Sequence, residues 1–216
     1  MKDIEQEYLL KNVNVKSVFH IGAYDGSETD FYIQMGIKNI IYAEPNPELF
    51  NLLNIHCSKE QYKDLNIITT DCAIYNTTGD VLDFHLYYDK TRTNLGCSSI
   101  RESVLHNQLY PQILFNGIIQ VNTATADSIV KSDLVDFDVE FLNIDVQGVE
   151  YEVFLGAHEI LSTTVKAILV ETATAELYKD QKHQQEITEL LGKYGFVLDT
   201  HFAHDTMWGD TIYIKK

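Results

Sequence analysis

Two kinds of apolar pattern alternate along the chain. The runs "KSVFHIG" (16–22) and "NIIYAEP" (39–45) are short, continuous and bounded by polar or turn residues. That is the pattern of strands buried on both faces of a parallel sheet. Between them, "SETDFYIQMG" has Ser27 as a cap, acids in its first turn and Gly36 as a stop, which predicts a helix. A second helix is predicted after Glu44: Asn46 can cap, Pro47 suits the first helical position, and Leu49, Leu52, Leu53 and His56 follow helical spacing. "LNIITTDCAI" (65–74) then predicts a third strand. The β-α-β-α-β order points to a parallel α/β fold with right-handed crossovers.

The middle is less regular. "DVLDFHLYY" (80–88) and "GIIQVNTAT" (117–125) read as strands. They flank the polar segment "DKTRTNLGCSSIRESVLHNQLYPQ", long for a loop and with room for a short helix. Regularity returns with a strand at "VEFLNIDV" (139–146), a helix carrying Val149, Val153 and Ala157 on one face, and a strand at "VKAILVET" (165–172). A last helix places Ile187, Leu190, Leu191 and Tyr194 at i, i+3, i+4 and i+7. "FVLDTHFAH" and "GDTIYIKK" close the chain as an antiparallel hairpin at the sheet edge. With three prolines, no repeat and no low-complexity stretch, residues 1–216 are expected to form one domain, 1–15 being an N-terminal extension.

Composition narrows the partners. A formal charge of −16 disfavours a phosphate backbone or an anionic membrane, both of which need Lys and Arg. The N-terminus lacks an apolar core of signal-peptide length, and nowhere do about 18 apolar residues run together, so a cytoplasmic location is expected. Cys57, Cys72 and Cys97 are odd in number and show no C-x-x-C spacing, which fits reduced thiols and offers no thiolate zinc site.

In open α/β sheets, ligands bind at the carboxyl ends of the strands. The turn "HIGAYDG" occupies such an end: Gly22 and Gly26, with the small Ala23 between them as a further cofactor-site candidate, let the backbone approach a ligand, and the following helix offers free N–H groups. Glu44 ends the second strand, 18 residues after Gly26, where an acid can accept from ribose hydroxyls; it also suits the dipole of the next helix. Both roles are compatible. Pro45 follows it, and at the end of the third strand Asp71 can reach an adenine amino group, with Cys72 and Ala73 as a small apolar wall. A dinucleotide site normally shows G-x-G-x-x-G. This turn is G-x-x-x-G and encloses Asp25, which repels phosphates and suits the cationic S-adenosylmethionine.

The segments "VFHIGAYDGSE", "IYAEPNPELFNLL", "GCSSI", "FLNIDVQGVEYEVFLGA", "VETATAELY" and "WGDTIYIK" resemble, in this order, the FkbM family of S-adenosylmethionine-dependent methyltransferases. The similarity runs from about Lys16 to the C-terminus, and "IDVQGVEYEVFLGA" is its most specific part. The resemblance implies a Rossmann-like methyltransferase fold: a mostly parallel seven-stranded sheet, a C-terminal antiparallel hairpin and helices on both faces. It implies O-methylation of a sugar, a glycan or a related natural product, with S-adenosylmethionine as cofactor. Carried onto this chain, it places the cofactor over Gly22 to Gly26, with Glu44 at the ribose and Asp71 near the adenine. Asp145, Gln147 and Glu150 then line the reaction centre, and Ser98 and Ser99 meet the acceptor. His20, where many members carry aspartate, is expected at the cofactor's amino-acid end.

An alcohol acceptor benefits from a base as the new bond forms. Asp145 is the first choice and Glu171, ending the neighbouring strand, the second; Glu150 and Glu171 can equally serve to hold loops through backbone hydrogen bonds. Asp145, Glu150 and Glu171 also suit Mg²⁺ or Mn²⁺, yet no tight ligand motif is present and no metal is predicted. Two rivals share the fold: a methyltransferase for a protein or amine, and a non-catalytic module that binds the cofactor or a glycan. A nucleic-acid base is disfavoured by the charge and by "NIDVQG" standing in place of a D/N-P-P-aromatic turn.

Overall fold

The computed structural model describes residues 2–89 and 96–216. The chain begins with helix α1 (Lys2–Asn12), then β1 (Ser17–Ile21), α2 (Thr29–Gln34), β2 (Asn39–Ala43), α3 (Pro47–Cys57) and β3 (Asn66–Thr70). The middle holds β4 (Ala73–Ile74), β5 (Val81–Asp89), α4 (His106–Leu109), β6 (Ile113–Ala124) and α5 (Ala126–Val130). It ends with β7 (Phe141–Ile144), α6 (Glu150–Leu155), α7 (His158–Thr163), β8 (Ala167–Ala173), α8 (Gln184–Gly192), β9 (Phe196–Ala203) and β10 (Trp208–Lys215).

Seven strands form the main sheet in the order β3-β2-β1-β7-β8-β10-β9. The first five are mutually parallel, and β10 runs antiparallel to both β8 and β9. Every residue of β1 is buried, as a strand covered on both faces must be. Leu9 of α1, Phe31 and Tyr32 of α2 and Leu53 of α3 pack with Val18, Ile40 and Tyr42 on one face. Val153, Phe154, Ile160, Leu161, Ile187 and Leu191, from α6 to α8, pack with Phe19, Ile41, Leu142 and Ile168 on the other. Strand order reverses between β1 and β7, which makes their carboxyl ends the natural ligand crevice.

Four local features depart from the sequence pattern. The expected strand over 65–74 breaks at Asp71: β3 stays in the main sheet, while β4 joins a separate sheet of order β4-β6-β5. β6 starts four residues earlier than expected, because Gly117 is a bulge within the strand, with Leu86 opposite Gly117 and Tyr87 opposite Phe115. The helix after β7 is interrupted at Gly156, where a Cβ would lie 2.2 Å from the Tyr75 carbonyl oxygen. The N-terminal extension is a helix docked by the fully buried Leu9. Part of the long polar segment, residues 90–95, lies outside the described residues; the remainder includes α4, the short helix it had room for.

Candidate active site

A cavity of about 700 Å³ opens at the carboxyl ends of β1, β2, β7 and β8. Its position depends on one glycine. The Gly22 N–H bonds the Ala43 carbonyl at 2.9 Å, and a Cβ at Gly22 would sit 1.8 Å from the Asp145 carbonyl oxygen. With φ at +82°, Gly22 turns the chain where β1 and β7 end side by side. Gly26 does a different job: its missing Cβ leaves room for Leu53 of α3. From this turn Gly22, Tyr24, Ser27 and Glu28 line the cavity. Ala23 and Gly26 are buried behind it, and Asp25 Oδ1 accepts from the Ser27 N–H.

Glu44 is a cavity residue and a loop staple at once. Its carboxylate accepts from the Tyr24 N–H at 3.0 Å and from the Asn46 N–H at 2.8 Å. Burial pushes its pKa up to about 7, these two bonds pull it down, and the charge of Asp145 adds an upward push. Asn46 in turn caps α3 by accepting from the Glu48 N–H. Beyond Glu44 the wall is apolar or small: Pro45, Leu49, Cys72, Ala73 and Ile74. Asp71 is exposed and stands outside the lining.

His20 lines the opposite side and is buried. Its Nδ1 is 3.1 Å from the Tyr32 hydroxyl, which accepts from Asn143 Nδ2 at 2.7 Å. A His20 ring in the Nε2–H tautomer accepts the phenol proton at Nδ1. No pattern in the sequence pairs Tyr32 with His20, because they meet only through the packing of α2 on the sheet.

The end of the cavity beside β7 and β8 is organised around Gln147. Its backbone is left-handed, φ +57°, a conformation that costs a non-glycine residue about 1 kcal/mol. Ser99 Oγ donates to its carbonyl at 2.6 Å, and the Tyr178 hydroxyl donates to its Oε1 at 2.6 Å. With Oε1 so occupied, Nε2 donates to Asp145 Oδ1 at 2.5 Å and to Glu171 Oε1 at 3.4 Å. Asp145, Gln147 and Glu171 all line the cavity. Burial raises the Glu171 pKa well above its ordinary value, reinforced by the charges of Asp145, Glu150 and Asp210, which favours its protonated form.

Several expected site residues support this arrangement from behind. Glu150 is buried, and its Oε1 accepts from the Gly148 N–H at 3.0 Å; burial pushes it up to about 7. It shapes the Gln147 turn and does not line the cavity. Ser99 is likewise fully buried, while Ser98 does line the cavity and accepts from the Tyr87 N–H. Sequence reasoning missed Tyr24, Tyr110 and His106 as lining residues. Trp208 Nε1 donates to the Tyr110 hydroxyl, and the His106 ring stacks on Tyr178, giving the far end an aromatic wall. The aromatic content of the polar segment was the only available signal.

The family model described as Methyltransferase FkbM domain matches residues 20–198. The chain belongs to the FkbM methyltransferase family. The matched span starts at His20 and takes in every described lining residue except Trp208. Among curated relatives, the 2-O-methyltransferase NoeI of Sinorhizobium fredii is 27% identical over 184 residues, 83% of this chain and 72% of that protein. Among solved structures, methyltransferase FkbM from Methylobacillus flagellatus superposes with a TM-score of 0.60 at 13% identity. It covers 93% of this chain, which spans only 44% of its length. Magnesium protoporphyrin IX methyltransferase from Synechocystis, solved with bound S-adenosylmethionine, gives 0.56 at 11% identity over 99% of this chain and 77% of that one. These likenesses show that the FkbM chain has the Rossmann-like methyltransferase fold. No helix among the described residues is long and apolar enough to cross a membrane.

Proposed function

We propose that this FkbM chain transfers a methyl group from S-adenosylmethionine to a hydroxyl oxygen of a sugar, a glycan or a related natural product. One observation carries the choice of cofactor. The described cavity lining includes Glu44, Asp145 and Glu171 but neither lysine nor arginine, a donor set that suits a cation and rejects a pyrophosphate. The walls fit the rest of the molecule. Glu44 has lone pairs left and would hold the ribose hydroxyls, Pro45, Leu49, Cys72 and Ala73 would hold the adenine, and His20 and Gly22 would hold the amino-acid end.

When bound, the cofactor supplies a methyl group made electrophilic by its sulfonium. Asp145 is the base that receives the acceptor's hydroxyl proton, and Gln147 holds it in place. Burial favours the protonated form of Glu171, which suits it to orient the acceptor by donating a hydrogen bond. The hydroxyl acceptor is supported by the relative named as a 2-O-methyltransferase and by the aromatic wall of Trp208 and Tyr110, whose faces suit the C–H faces of a sugar ring.

Calorimetric titration with S-adenosylmethionine and S-adenosylhomocysteine tests the first half; failure of both to bind overturns it. A methyl-release screen against nucleotide sugars and glycans, with and without EDTA, tests the second. Methylation of proteins or amines alone would replace the hydroxyl reading.

A further inference from the structure

A second group of titratable side chains lies beside the cavity and, apart from the charge that Asp210 sets beside Glu171, takes no part in the chemistry above. Glu5 comes from α1, His204 from the turn between β9 and β10, and Asp210 from β10. Their donor atoms all lie within 4.8 Å of one another. His204 Nε2 is 2.8 Å from Asp210 Oδ2 and 3.8 Å from Glu5 Oε1. The three side chains are largely shielded, with 7%, 13% and 22% of the surface of Glu5, His204 and Asp210 exposed. Two carboxylates are thus held together in a nearly dry corner, with an imidazole nitrogen facing both. Such a pair is stable only when a cation or a proton sits between the charges.

We propose that Glu5, His204 and Asp210 form a binding site for a divalent first-row transition-metal ion of the Zn²⁺ or Mn²⁺ class. An ion at about 2.1 Å from each of two donors, with tetrahedral angles, holds those donors about 3.4 Å apart. The distances from His204 Nε2 to the two carboxylates, 2.8 and 3.8 Å, bracket that spacing. One imidazole among two carboxylates favours zinc or manganese over the all-oxygen preference of calcium and magnesium. Three protein ligands leave a further position for water.

The site staples the N-terminal helix to the last hairpin. Glu5 lies one turn before the buried Leu9, on the face of α1 that meets the core. His204 packs on Trp208, with ring centroids 4.5 Å apart, and Trp208 lines the cavity. Asp210 stands opposite Glu171 in the β8–β10 pairing. An ion held here therefore braces the aromatic wall without entering the cavity.

The full chain, stripped with EDTA and exchanged into metal-free buffer near pH 7.5, is titrated by calorimetry with ZnCl₂, MnCl₂ and CoCl₂. One equivalent of at least one ion is expected to bind. His204→Ala, Asp210→Asn and Glu5→Gln are each expected to weaken it about tenfold or more. The ion should raise the melting temperature of the parent protein, and Glu5→Gln should abolish that rise. Absence of binding by all three ions overturns the proposal, as does an unchanged isotherm in Glu5→Gln, which keeps the helix and the side-chain shape should His204→Ala fail to fold. S-adenosylhomocysteine is titrated into the same samples, and Glu5→Gln should bind it as the parent does. Failure of the cofactor reading and failure of the metal site are thereby read separately.

Discussion

Tyr178 and Gln147 are 31 residues apart and meet at 2.6 Å, the phenol donating to the side-chain carbonyl oxygen. This bond decides which way the Gln147 amide points. Its nitrogen is left to face Asp145 and Glu171, so the two carboxyl groups at the reaction end share one donor. Gly148 makes the contact possible: a Cβ there would lie 2.8 Å from Cβ of Tyr178.

Tyr178→Phe removes the pin and keeps the ring. Turnover is expected to fall about tenfold through misplacement of Asp145, with the affinity for S-adenosylhomocysteine unchanged. Lost stability should be about 1 kcal/mol, as for one hydrogen bond. Urea unfolding and steady-state kinetics check both. A drop in cofactor affinity equal to the drop in turnover would contradict a purely positioning role.

Asp145→Asn and Glu171→Gln should behave differently. Loss of the base at Asp145 is expected to cost about 100-fold or more in kcat. Burial favours the neutral form of Glu171, whose shape and donor capacity glutamine preserves, so this change should cost about tenfold or less. Equal losses in the two variants, measured with the same acceptor, would reverse the assignment of base and donor.

Gly22→Ala places a methyl group against the Asp145 carbonyl and strains a backbone at φ +82°. The expected loss is about 3 kcal/mol or more, with cofactor binding abolished. Gly26→Ala meets the end of the flexible Leu53 side chain at 2.7 Å, though its φ of +76° also disfavours alanine. It should be destabilised less and still bind cofactor. Thermal melts and calorimetry distinguish the two.

The unliganded protein should lose stability as pH rises. Glu44 and Glu150 are each raised to about 7 by burial, against about 4.3 for an unfolded glutamate. Between those values the folded state holds more protons than the unfolded state, so stability is greatest at the acid end of the window. It declines up to about pH 7 and then levels. The melting temperature is expected to drop by several degrees from pH 5 to pH 8, roughly, and Glu44→Gln should flatten part of that slope. A melting temperature that rises across this window would show that the two carboxyls are not proton-bound in the folded state.

Much of the architecture was legible from local pattern. Buried parallel strands read as continuous apolar runs, and caps and stops such as Asn46 and Gly36 mark helix ends without reference to distant residues. Glu44, Asp145 and Glu171 were legible for the same reason: each ends a strand, and strand ends in this topology all point to one crevice. The cationic cofactor was suggested by Asp25 and Glu44 together with Asp71 and the family resemblance of "IDVQGVE"; of the three acids only Glu44 lines the cavity.

Which residues face the cavity was decided only by the tertiary structure. Asp25, Gly26 and Glu150 belong to the same motifs as the lining residues but turn behind them or outward, because positive-φ positions at Gly22, Tyr24, Gln147 and Gly148 redirect the chain; Asp71 and Ser99 also stand off the lining. The break between β3 and β4 depends on pairing with β6, some fifty residues later. The pairing of His20 with Tyr32, the Tyr178 pin on Gln147, and the meeting of Glu5 with His204 and Asp210 all join segments that no local period connects. Sequence pattern determines which face of an element is buried; what that face meets is set by how the elements pack.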